Sequence, residues 1–85
     1  MKKGLNDGLD PYQALANAIV QNAAEDYRAA LKRLDKDPEN IIARAEVTEL
    51  KGFFRSQWYE ILTDVDGEYL IKMLEKEYPD VDTGE

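Results

Sequence analysis

The stretch Asp10–Lys36, DPYQALANAIVQNAAEDYRAALKRLDK, decides the fold. It opens on Asp10-Pro11, an N-cap residue followed by proline at the first helical position, where the missing N–H has no intrahelical partner to lose. From there Tyr12, Leu15, Ala16, Ile19, Ala23, Tyr27, Ala30, Leu31 and Leu34 recur at steps of three and four, which lays one apolar stripe along about six turns. Gln13, Asn17, Gln21, Glu25, Arg28 and Lys32 fall on the other side. Lys32, Arg33 and Lys36 complement the negative pole at the helix end.

Working outward, Asp35-Lys36-Asp37-Pro38-Glu39-Asn40 has a turn composition and a second Asp-Pro start, so the chain is expected to reverse into an antiparallel helical hairpin. The second helix carries Ile41, Ile42, Ala45, Val47, Leu50, Phe53 and Phe54. Gly52, late in it, costs about 1 kcal/mol against alanine and predicts a bend, a close crossing or the helix end. Ser56 is placed to cap a short third helix bearing Trp58, Ile61 and Leu62. Thr63-Asp64-Val65-Asp66 has the form of a capping box ahead of Tyr69, Leu70, Met73, Leu74 and Tyr78, which continue at helical spacing until Pro79. No segment has strand period. The reading is an all-α small helical bundle of three main helices plus one short helix: a flexible lead over 1–9, a single domain over 10–78 and an acidic flexible tail over 79–85.

At 85 residues there is room for one core, and with neither cysteine nor histidine the chain lacks disulfides, thiolate ligands and the usual neutral-pH base. No secretory h-region follows the N-terminus and no apolar run approaches membrane-span length, so a soluble, cytoplasmic protein without membrane contact is expected. The net charge of −7 lies late in the chain: residues 63–85 carry eight acids and two bases. That sign repels phosphate backbones and favours a basic partner surface.

Asp64-Val65-Asp66-Gly67 invites comparison with a calcium loop, but the glycine is fourth rather than sixth and Tyr69-Leu70-Ile71 reads as helix. No phosphate loop is present, and no nucleophile has a histidine base. The sequence therefore points to binding rather than catalysis, with no metal and no cofactor.

Five of the eight aromatics fall between Phe53 and Tyr69. Phe54, Trp58, Leu62 and Tyr69 are expected in the core, and Phe53 or Tyr59 with Arg55 on the surface as anchors, because aromatics and arginine dominate binding hot spots. Phe53, Arg55, Tyr59, Asp64, Asp66 and Glu68 thus form the candidate partner-binding set. Arg28, Lys32, Arg33 and Lys36 form a candidate anion-binding group at the hairpin end. A nucleic-acid accessory would use that basic end with Arg44, Lys51 and Arg55; the interspersed Glu46 and Glu49 disfavour it. The long stripe and Tyr12 and Tyr27 are also compatible with a homodimer.

From about residue 14 to 77 the chain resembles a group of small helical proteins encoded by phages and mobile elements of Gram-positive (Firmicutes) gut bacteria. The likeness is carried by Ala18-Ile19-Val20, Asp26-Tyr27-Arg28-Ala29-Ala30-Leu31, Phe53-Phe54-Arg55-Ser56 and the run from Leu62 to Ile71. The group has no established activity, so no functional residue carries over. The resemblance implies a mobile-element origin in a bacterial host cell. By analogy with other small proteins of such elements, it implies stoichiometric binding to a host or phage protein, as CRISPR and other defence inhibitors do.

Overall fold

A computed structural model of the chain describes residues 11–84. These form four helices, α1 (Pro11–Lys36), α2 (Ile41–Phe54), α3 (Gln57–Leu62) and α4 (Gly67–Glu75), with no strand among the described residues. The expected lead over 1–9 and the Asp10 cap lie outside the described residues. Among the described residues no helix is long and apolar enough to cross a membrane.

Several boundaries differ from the sequence expectation, each for a local hydrogen-bonding reason. Helix α2 begins at Ile41 because Asn40, not Asp37, is its cap: Asn40 Oδ1 accepts from the Ala43 N–H at 3.0 Å. Asp37 instead accepts from the Glu39 N–H at 3.1 Å, stabilising the turn itself. Ser56 caps α3 as expected, its Oγ accepting from the Tyr59 N–H at 3.1 Å. Thr63 does not cap α4; its Oγ1 accepts from Val65 N–H, and Asp66 takes the cap through Glu68 N–H at 3.0 Å. Helix α4 then ends at Glu75, ahead of Pro79.

Helix α1 touches each of the other three. Its stripe supplies Ala23, Tyr27, Ala30, Leu31 and Leu34 to a core completed by Ala43, Val47 and Phe54 of α2, Tyr59 of α3, and Ile71 and Leu74 of α4. Phe54 is the hinge of this core. Its ring meets Tyr27 at 5.7 Å and Tyr59 at 5.8 Å, both edge-to-face at 89°, an arrangement worth about 0.5–1.5 kcal/mol per pair beyond burial.

A polar cluster crosses the apolar core at one edge. Lys51 is only 4% exposed. Its Nζ donates to Thr83 Oγ1 at 2.8 Å and lies 3.6 Å from Glu75 Oε2, which also accepts from the Tyr27 hydroxyl at 2.7 Å. Hydrogen bonds and this ion pair thereby link three helices and the C-terminal segment. The segment after α4 is correspondingly not a free tail. Val81 packs on the core, Arg44 donates to the Asp82 carbonyl at 3.0 Å, and Arg28 pairs with Glu77.

Two glycines behave oppositely. Around Gly52 there is open space, and α2 runs past it to Phe54, so neither a bend nor a close crossing requires it. At Gly67 a Cβ would overlap the Phe54 carbonyl oxygen, a backbone atom that cannot swing aside. Gly52→Ala is expected to stabilise by about 0.5–1 kcal/mol, whereas Gly67→Ala destabilises by on the order of 2 kcal/mol or more by forcing α4 off the end of α2. Urea unfolding of both variants checks the contrast. In the polar cluster, a double-mutant cycle of Lys51→Met and Glu75→Gln is expected to show a coupling of about 1–3 kcal/mol; additive losses would mean the two side chains do not interact.

Candidate protein-docking site at the α3–α4 turn

The short α3 decides which aromatics are buried. With Ser56 fixing its first turn, Tyr59 and Leu62 face inward, three residues apart, and Trp58 and Ile61 face out. Trp58 is 55% exposed and Tyr69 is exposed as well, so both leave the core to which their spacing assigned them. Tyr59, expected as a surface anchor, is 1% exposed and sits at the aromatic centre instead. The sequence could not choose between these phases, because 58, 59, 61 and 62 are all apolar or aromatic and α3 is too short for periodicity to arbitrate.

Phe53 bridges interior and surface. Half-buried, it places its ring 5.5 Å from Phe54, 5.5 Å from Trp58 and 5.7 Å from Tyr59. Trp58 is thus an outward extension of the core stack, held by Phe53 from below. Sequence reasoning missed its exposure; its adjacency to Tyr59, which forces one of the pair outward, was the available signal.

Beside this shoulder lies an open hollow of about 390 Å³ between the end of α2 and the α3–α4 turn. Arg55, Tyr59, Asp64, Asp66 and Glu68 of the candidate set all line it, together with Glu60. Phe53 does not line it but supports Tyr59 from behind. Arg55, next after α2, forks onto Glu68 of α4 and so closes one side. That leaves Glu60, Asp64 and Asp66 without a cation paired to them among the described residues, on an exposed surface. The carboxylates do not converge on a metal: no group of three or more acidic side chains is placed to hold one among the described residues.

Tyr59 contributes a polar atom at the base of the hollow. Its buried hydroxyl has no hydrogen-bond partner among the described residues. Burial, and after it the nearby Asp66 carboxylate, raise its pKa above the ordinary tyrosine range, so it stays protonated. A hydroxyl of this kind carries an unmet desolvation cost unless something binds it.

The candidate anion group is not assembled. Arg28 is turned onto Glu77, whose hydrogen bond and charge raise the arginine pKa, while Arg33 is turned onto Glu46 of α2. Arg44 is engaged with the Pro38 and Asp82 carbonyls, and Lys51 is buried. Of the cations named from sequence, Lys32 and Lys36 alone make no side-chain hydrogen bond or ion pair among the described residues. Comparison with protein-family models, with curated proteins and with solved structures finds no match.

The raised Tyr59 pKa makes stability fall at alkaline pH. Its contribution is complete below the ordinary tyrosine value of about 10 and is lost as pH rises through the higher folded value. Tyr59→Phe is therefore expected to flatten the alkaline limb of the stability profile. At neutral pH it should leave stability unchanged or raise it by up to about 1 kcal/mol, since it removes an orphaned hydroxyl. Thermal unfolding between neutral and strongly alkaline pH measures both effects.

Proposed function

We propose that this chain is a non-enzymatic protein-binding module, a helical bundle built on the α1–α2 hairpin, that docks the α3–α4 turn onto a basic, nucleic-acid-handling protein. The observation that carries the reading is the acidic hollow itself, on which Glu60, Asp64 and Asp66 lie exposed with no cation paired to them among the described residues. A Lys or Arg of the partner would enter the hollow beside Glu60, Asp64 and Asp66, steered there by their charge. Arginine suits the site best, since a guanidinium can use several acceptors and stack on an aromatic face. The resemblance to proteins of phages and mobile elements favours the role of a stoichiometric inhibitor, such as an anti-CRISPR or other anti-defence protein, acting in the cytoplasm of a bacterial host cell.

The alternative of a nucleic-acid accessory has less support. Its cations at Arg28, Arg33, Arg44, Lys51 and Arg55 are already engaged by carboxylates, carbonyls or Thr83, and phosphate binding would have to displace them. A small-anion ligand meets the same obstacle.

Glu60 and Asp64 are the cleanest positions for a test. Asp66 caps α4, and its removal would cost about 0.5–2 kcal/mol of stability for reasons unrelated to binding. In a pull-down from a lysate of a Gram-positive host, the native protein is expected to retain a basic protein. A Glu60→Gln/Asp64→Asn variant, folded by circular dichroism, is expected to lose it. With the purified partner, the association rate of the native chain should fall steeply with added salt. Retention unchanged in this variant, or retention of nucleic acid by native and variant alike, would overturn the reading.

A further inference from the structure

Helix α1 is too long for the rest of the molecule. Its 26 residues rise about 39 Å, whereas the 14 residues of α2 rise about 21 Å, and the described chain is 50 Å long but only 23 by 20 Å across. The two helices run antiparallel, with Arg33 beside Glu46 near the turn and Ile19 and Ala23 beside Leu50 and Phe53 at the far end. The first turns of α1 therefore project beyond their neighbour. The apolar stripe does not stop where the neighbour does: Tyr12 is 72% and Leu15 59% exposed.

These side chains join a larger surface. Tyr12, Leu15 and Ile19 follow at helical steps of three and four. Ile19 and Phe53 line one shallow hollow, Phe53 contacts Trp58, and Ile61, 72% exposed, follows Trp58 by three residues. Tyr12, Leu15, Trp58 and Ile61 together leave on the order of 500 Å² of mostly apolar surface per copy. A symmetric pair would bury roughly 1,000 Å², the lower bound for a specific interface.

The charge pattern identifies the occupant. Pro11–Ala24 is a run of 14 residues without a single charge, in a chain that is 34% charged with a net −7. Residues on a two-fold axis face their own copies and those around it face the same acidic chain, so a charged segment there would meet like charge. A charge-free helix segment in an otherwise strongly acidic protein meets that requirement, and it offers nothing by which a basic partner would be selected. We infer that the projecting half of α1, with its Phe53–Trp58 shoulder, pairs with the same surface of a second copy of this chain, giving a two-fold symmetric homodimer. The dimer is independent of the acidic hollow, and its salt response is opposite: screening the mutual repulsion of two −7 chains should tighten it, whereas added salt weakens capture of a basic partner.

Sedimentation equilibrium of the full chain tests this. The expected species at micromolar concentration has twice the 9.7 kDa chain mass, with a dissociation constant that falls as salt is raised. Leu15→Glu places a charge on the contact without touching the core; it should weaken association about tenfold or more while leaving the circular dichroism spectrum and unfolding midpoint of the monomer intact. Ala29→Glu, at an exposed position of α1 outside this surface, should leave association unchanged. A monomer at high micromolar concentration and high salt, or a dimer indifferent to Leu15→Glu, would overturn the inference.

Discussion

Lys51 has to be satisfied inside the protein, and the way it is satisfied determines where the last third of the chain lies. A lysine 4% exposed in the last turn of α2 is costly unless its ammonium finds hydrogen-bond acceptors and a counter-charge. Thr83 supplies acceptors from the C-terminal segment and Glu75 supplies the charge from the end of α4. The same Glu75 carboxylate receives the Tyr27 hydroxyl of α1. Apolar packing alone would let a nine-residue helix such as α4 slide along the α1–α2 pair, since hydrophobic contact is non-directional. The Lys51–Glu75 ion pair and the Tyr27–Glu75 hydrogen bond fix its position, and the Lys51–Thr83 hydrogen bonds tether the segment that follows.

Once α4 is fixed at its C-terminal end by Glu75, its N-terminal end is set by contact with α2. Gly67 lies against the Phe54 carbonyl, a distance no side chain permits, and Arg55 pairs with Glu68 one residue further on. This close approach brings the α3–α4 turn beside the end of α2 and forms the acidic hollow. The Tyr27–Phe54–Tyr59 edge-to-face stack fills the space beneath it, and Phe53 carries that stack outward to Trp58. The docking surface proposed for this protein is therefore the outer side of its own core, and its rigidity follows from the same aromatic contacts.

Much of the helix content was readable from sequence, because long periodic segments and caps act locally. The stripe from Ala16 to Leu34 and the Ser56 cap needed no tertiary information. What was not readable depended on three-dimensional packing. Trp58 and Tyr59 are equivalent in type and adjacent, and only the position of α3 against Phe54 decides which is buried. Lys51 reads as one surface cation among several until Glu75 and Thr83, 24 and 32 residues away, are brought to it. Gly67 resembles a loop residue until the Phe54 carbonyl is seen against it. Tyr12 and Leu15 obey the stripe perfectly yet are exposed, since periodicity reports which face is apolar and not whether a neighbour is long enough to cover it. Within the candidate site, Asp64, Asp66 and Glu68 do line one hollow, whereas the expected burial of Trp58 and exposure of Tyr59 are reversed.

The direct measurement of the constraint on which this arrangement depends is nitrogen-15 NMR of the lysine ammonium groups in the intact chain at neutral pH. Lys51 is expected to give a resolved NH₃⁺ signal protected from water exchange, with cross-relaxation to the Thr83 side chain, and to lose that protection when Glu75 is replaced by glutamine. A Lys51 signal exchanging as fast as those of the exposed Lys32 and Lys36 would contradict the account, because α4 and the C-terminal segment would then lack the contact that seats them.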